Sequence, residues 1–187
     1  MRYIPTETEI SEMLNKPLTV TLRGLRDKAI LELLYSSALR RSELTGLNLD
    51  HVNLKDQTVC IVKGKGDKDR FLPMTQKASD AIKAYLEKGR PLYNRNPSNK
   101  ALFLSEWGKR LSSHRINDIV HEYASFNPKI TPHSVRHATA THMLKRGAGI
   151  MYVKHLLGHS SAKTTEIYTH LYPKDLIQIY ERFHPRK

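Results

Sequence analysis

Thr131-Pro132-His133-Ser134-Val135-Arg136-His137, Leu157-Gly158-His159-Ser160 and Tyr168-Thr169-His170 are the three short runs on which the reading of this chain turns. Thr131 followed by Pro132 predicts an N-cap and a proline at the first helical position, which places His133 and Arg136 in the first turn of a helix. Gly147 and Gly149 end it. A second helix, with Ile150, Val153, Leu156 and Leu157 at helical spacing, stops at Gly158 and leaves His159 on a corner. Ser160 or Ser161 then caps a third helix that carries Tyr168 about two turns in. Such a chain can gather its polar groups at helix ends, where first-turn N–H groups favour an anion.

The chemistry open to that inventory is narrow. A tyrosine hydroxyl with a pKa of about 10 is a weak nucleophile at neutral pH. It becomes useful against an electrophilic centre whose developing charge is stabilised. An arginine fork matches two phosphate oxygens, and histidines transfer protons or donate hydrogen bonds. Tyrosine attack on a phosphodiester fits. On spacing alone, capped surface helices with incidental histidines fit equally well, because the chain holds ten histidines in 187 residues.

Composition narrows the partner. Lysine and arginine total 31 against 18 acidic residues, a net charge of +13 with a pI near 9.9. That excess points to a polyanion, nucleic acid ahead of a membrane surface. The length predicts one domain with a core of its own. A single cysteine, Cys60, excludes an internal disulfide and fits a reducing cytoplasm. There is no apolar run near the roughly 20 residues of a membrane span, and no signal peptide is expected.

Upstream, Thr6 to Glu9 predicts a capping box opening a short helix, and Leu22 to Leu34 a long one. Arg40 to Leu47 reads as a further helix, on which Arg40 and Arg41 point about 100° apart and Glu43 shares a face with Arg40. Val52 and Leu54, Val59 to Val62 and Phe71 to Met74 predict three antiparallel strands, with Lys65 at the tip of the second hairpin. Helices resume after Thr75 and stop at Gly89; residues 90 to 100 read as a surface loop. A helix carrying Ile116, Ile119, Val120 and Tyr123 and a terminal one after Pro173, with Leu176, Ile179, Tyr180 and Phe183 on one face, complete the chain. Asp67 and Asp69 lack a third carboxylate for a metal.

His133-x-x-Arg136-His137, Leu156-Leu-Gly-His159-Ser160 and Thr164-Thr-x-Ile-Tyr168-Thr-His170 resemble the signature of the tyrosine recombinases, nearest to Xer-type enzymes and phage integrases. Ala38-Leu-Arg40-Arg-Ser-Glu-Leu44 and Lys63-Gly-Lys65-Gly-Asp-Lys68 supply the two upstream motifs of that pattern. The resemblance implies a mainly helical catalytic domain with a small three-stranded antiparallel sheet, needing neither metal nor cofactor. It implies that Tyr168 attacks a DNA phosphate to form a 3′-phosphotyrosyl bond, Arg40 and Arg136 grip the phosphate oxygens, and Lys65 protonates the leaving 5′-oxygen. His133 then serves proton transfer with Tyr168, and His159 hydrogen-bonds the phosphate. His137 and His170 match the pattern in structural roles.

The implied partners are double-stranded DNA and further copies of the chain, a tetramer on the synapse and a monomer when free, in the cytoplasm with the nucleoid. The expected organisation is a catalytic domain over residues 1–187 without the usual N-terminal core-binding domain, as a fragment or a naturally short member. Residues 174–187 form a last helix that packs on its own core or is exchanged between subunits. Three rivals differ in kind: a type IB topoisomerase, a DNA-binding regulator without catalysis, and a zinc hydrolase. The last lacks the glutamate of a His-Glu-x-x-His motif.

Overall fold

The computed structural model describes residues 3–62, 69–158 and 173–186. Local chemistry starts most of its helices. Thr6 caps α1 (Glu7–Asn15) in a full capping box with Glu9, and Thr21 caps α2 (Leu22–Ser36). Thr75 caps α4 (Gln76–Ala84), Ser112 caps α6 (Ser113–Tyr123), and Thr131 with Pro132 at the start opens α7 (Pro132–Lys145). The short α3 (Arg41–Gly46) and α8 (Ile150–Leu156) and the terminal α9 (Pro173–Phe183) complete the main set. Among the described residues no helix is long and apolar enough to cross a membrane.

The sheet holds β1 (Val52–Asn53), β2 (Thr58–Ile61) and β3 (Arg70–Pro73), antiparallel in that order. Val59 faces Leu72, and Ile61 faces Arg70. Strand parity turns Val59, Ile61, Leu72 and Arg70 inward and leaves Phe71 61% exposed.

α2 is the central strut, with Ala29, Ile30, Leu31, Leu33 and Leu34 completely buried. Its C-terminal end is tied to the sheet: the Ser37 hydroxyl donates to the Pro73 carbonyl at 2.8 Å, and the Thr75 N–H donates to the Ser36 hydroxyl at 2.7 Å. α9 lies on the same end. The Tyr180 hydroxyl, buried, donates to the Ser36 carbonyl at 2.8 Å and lies 2.9 Å from the Ser36 hydroxyl. Of the expected stripe, Ile179 and Phe183 are half-buried against the core, while the Leu176 side chain lies outside the described residues.

Two expectations are corrected. Arg40 is not in a helix: it is the extended N-cap residue of α3, with φ −71° and ψ 149°. The chain reaches it through Ala38 in the left-handed region at φ 50°, which turns the segment after α2. Second, the helix begun at Gln76 does not stop at Gly89. It widens into a π turn over Tyr85–Gly89 and continues as α5 (Arg90–Tyr93). Pro91 explains the widening, because its ring would strike the carbonyl four residues back in a regular α-turn. Arg90, expected on a surface loop, is buried and donates to the carbonyls of Asn99, Ala101 and Leu102.

Candidate active site

A cleft of about 590 Å³ opens between α3, α6 and α7, lined in part by Arg40, Ser113, His133, Arg136, His137 and Leu157. Three of the residues expected in a site therefore meet here: Arg40, His133 and Arg136. Lys65, His159 and Tyr168 lie outside the described residues, as does His170.

Arg136 is the fifth residue of α7, just past the first turn in which it was expected, and its side chain is held by backbone rather than by acids. Nη1 donates to the Ala38 carbonyl and Nη2 to the Leu157 carbonyl. The residue is buried. Burial pushes its guanidinium down to about 10, with the positive charges of Arg40 and Arg70 adding to the effect and Glu43 opposing it. At neutral pH it stays cationic, a charge set rigidly at the cleft wall.

Arg40 carries the opposite character, an exposed side chain anchored at one point. Its Nη1 donates to Glu43 Oε1 at 2.8 Å, and its backbone N–H donates to Glu43 Oε2 at 2.8 Å. The same carboxylate caps the start of α3 and steers the arginine that precedes it. Glu43 has further duties. Arg70 Nη2 donates to Oε1 at 2.8 Å, and Arg136 Nη1 lies 3.9 Å from Oε2. Burial works to raise the Glu43 carboxyl, but the Arg40 N–H and the guanidinium of Arg70 outweigh it and hold the carboxyl below its usual range. Three arginines thus share one carboxylate.

His133 is at the exposed first turn of α7, and its Nε2 lies 2.8 Å from Nε2 of His137 one turn on. The rings meet edge to face at 4.4 Å. One ring nitrogen must carry the proton in that bond, so a proton at this point is shared between two imidazoles. Arg110 fixes the other end of α3 by donating to the Thr45 and Leu47 carbonyls at 2.8 Å each. His114, at the start of α6, is largely exposed, and both it and Arg115 lie near Asp118.

The sequence did not single out Arg70. One signal was present: it falls on the inward parity of β3 with Leu72, so a strand pattern there places an arginine in the interior. The backbone partners of Arg136 carried no sequence signal. Among the described residues, no group of three or more His, Cys, Asp or Glu side chains is placed to hold a metal ion.

This arrangement, Arg40, Arg41, Arg136 and a histidine pair lining one cleft, has the donors and the positive charge to bind an oxyanion. Residues 5–175 match the phage integrase family. Tyrosine recombinase XerD of Lacticaseibacillus casei is 40% identical over 182 residues, covering 96% of this chain and 62% of the relative. The crystal structure of XerA recombinase superposes with a TM-score of 0.76 at 30% identity, over all of this chain and 65% of that one. XerH site-specific recombinase, solved bound to a palindromic difH substrate as a post-cleavage complex, gives a TM-score of 0.70 at 24% identity, over 95% of this chain and 52% of that one. The chain spans less than two thirds of the length of each of these proteins. The mainly helical body with its three-stranded sheet is the tyrosine recombinase catalytic-domain fold. On its sequence match and its fold together, this chain belongs to the phage integrase family.

Proposed function

We propose that this chain is the catalytic domain of a site-specific DNA recombinase. The observation that carries the reading is the convergence of Arg40, Arg136 and His133 on one cleft whose arginines outnumber their shared carboxylate. A phosphodiester supplies the missing negative charge. Arg136, locked by two carbonyls, fixes one non-bridging oxygen, and Arg40, aimed by Glu43 on one edge of its fork, donates from its free edge to the other. Both then stabilise the added charge of the pentacovalent transition state.

In the proposed step Tyr168 Oη forms a bond to phosphorus as the bond to the 5′-oxygen breaks. The tyrosine proton passes to His133, which His137 relieves through their shared hydrogen bond, and Lys65 supplies a proton to the departing oxygen. His159 hydrogen-bonds the phosphate. The 3′-phosphotyrosyl bond keeps its energy, so a second 5′-hydroxyl can rejoin the strand without ATP. Arginines serve as the charge sink, so the step runs without a metal. The relatives' names and the DNA-bound XerH structure support duplex DNA as the partner. A tetramer on the synapse follows from the need to exchange four strands, one subunit acting on each.

The test is capture of the intermediate. The chain is incubated with nicked duplexes from a randomised library in EDTA, and adducts are isolated under denaturing conditions, sequenced and mapped by mass spectrometry. A 3′-linked adduct on Tyr168, lost in Tyr168→Phe while DNA binding persists, is expected. Adducts in Tyr168→Phe, or adducts that appear only when a divalent metal is added, would overturn the reading.

A further inference from the structure

Arg70 has no part in the scheme above, yet it touches both supports of the arginine pair. It is buried on β3 at 9% exposure, and its Nη2 donates to Glu43 Oε1, the oxygen that also receives Arg40. On its other side lies Gly158. That residue has φ +60°, and a Cβ built there would stand 2.8 Å from the Arg70 guanidinium carbon and 3.0 Å from Nη1. Only a residue without a Cβ lets the planar fork lie against the backbone at this corner. The preceding residue, Leu157, supplies the carbonyl that holds Arg136 Nη2. Meanwhile Nε and Nη1 of Arg70 are buried without a hydrogen-bond partner among the described residues.

Holding a charged fork in this way is unfavourable as plain core packing, because two desolvated donors go unused. A leucine or methionine would fill an inward strand position at lower cost. What the arginine adds is geometric: one rigid plane braced between the carboxylate that aims Arg40 and the corner that locks Arg136.

We propose that Arg70 is a positioning residue of the site, which sets the guanidinium of Arg40 through Glu43 and that of Arg136 through the Leu157–Gly158 corner. The inference extends the recombinase reading but is testable apart from it. The two branches separate by substitution. Arg70→Lys keeps a cation for Glu43 but lacks the plane that lies against Gly158. Arg70→Gln loses both.

The experiment compares the whole chain with these two variants in solution, following the side-chain Nε–Hε resonances of Arg40 and Arg136 by NMR. Thermal melts confirm that each variant is folded. In Arg70→Gln both resonances should move and broaden; in Arg70→Lys that of Arg40 should return to its original place and that of Arg136 should not. On a captured suicide duplex, Arg70→Gln should cleave at least tenfold more slowly in a single turnover, with DNA affinity within twofold of the parent. Resonances that stay in place in either folded variant, except that of Arg40 in Arg70→Lys, would overturn the proposal. So would an unchanged cleavage rate in Arg70→Gln. If Arg70→Gln fails to fold, the Arg70→Lys spectrum decides. A parent chain that forms no adduct sinks the recombinase reading alone, since the resonances still decide the positioning claim.

Discussion

Acidification should release the terminal helix before it unfolds the rest of the chain. His184, one residue past α9, is completely buried between Tyr35 and Tyr180, with ring centroids 5.2 and 4.7 Å away. Its Nδ1 accepts from the Arg186 N–H at 3.1 Å, and its Nε2 faces the Tyr35 carbonyl at 3.5 Å. The neutral Nε2–H tautomer satisfies both, whereas a second proton on Nδ1 would confront an N–H donor. Burial is the main force that pushes the imidazole down to about 3; the Tyr35 carbonyl works the other way, and Arg146 and His142 add to the fall.

The sign follows directly. His184 is a base whose folded value lies below its free one, so the released segment takes up a proton first. Docking is at full strength above about pH 6.5 and weakens as the pH falls from there toward 3. At about pH 5 the released state gains roughly 2 kcal/mol, a shift of about thirtyfold in the docking equilibrium. His142, lowered by burial and hydrogen-bonded to the Tyr35 hydroxyl at 2.9 Å, pulls in the same direction. Hydrogen exchange, corrected for intrinsic rates, measures this: amides of 177–184 should lose protection between pH 7.5 and 5 relative to those of α2. His184→Phe should remove most of that loss. Equal pH dependence in the variant, or in α2 itself, would refute the reasoning.

Three further outcomes follow from single contacts. Gln57 closes the turn before β2 at φ 51°, so Gln57→Gly should relieve strain of up to about 1 kcal/mol and raise the melting temperature by roughly 2–4 °C. Tyr180→Phe leaves the Ser36 carbonyl without its buried donor and should cost about 1–3 kcal/mol in chemical denaturation, with the midpoint lowered and the slope unchanged. Lys65→Ala should cleave a normal duplex poorly but a duplex with a bridging 5′-sulfur nearly normally, because a thiolate leaves without a proton. Equal rates on the two substrates would remove Lys65 from the proton transfer.

Much of this was legible in the sequence where the cause is local. Thr6, Thr75 and Thr131 announce helix starts because a side-chain oxygen and the N–H groups it caps lie within three residues. Alternation gave the three strands and their order. What stayed hidden depends on partners distant in the chain. Arg136 meets the Ala38 carbonyl across 98 positions, and Arg186 pairs with Glu32 across 154. Arg26, Asp27 and Glu32 are buried within α2 although their composition suggests a wet face, because each meets a partner from elsewhere in the chain: the Leu104 carbonyl, the Tyr123 hydroxyl and Arg186. Arg40 was placed inside a helix because a favourable helical stretch does not reveal which residue first departs from it.

The π turn at Tyr85–Gly89 also bears on how this chain tolerates insertion and deletion. A π turn is what one added residue leaves behind in an α-helix, and every residue after it is rotated by about 100° relative to an uninterrupted one. That rotation is what points Arg90 inward to the carbonyls of Asn99, Ala101 and Leu102. The segment so held lies against the end of α3, where Leu49 N–H donates to the Lys100 carbonyl and Leu102 N–H to the Leu47 carbonyl. Losing one residue from 85–89 would therefore turn Arg90 outward and loosen the exit of the helix whose entrance aims Arg40. Gaps in this lineage should be tolerated in 94–98 and purged from 85–89, although both are far in sequence from any residue that touches the cleft.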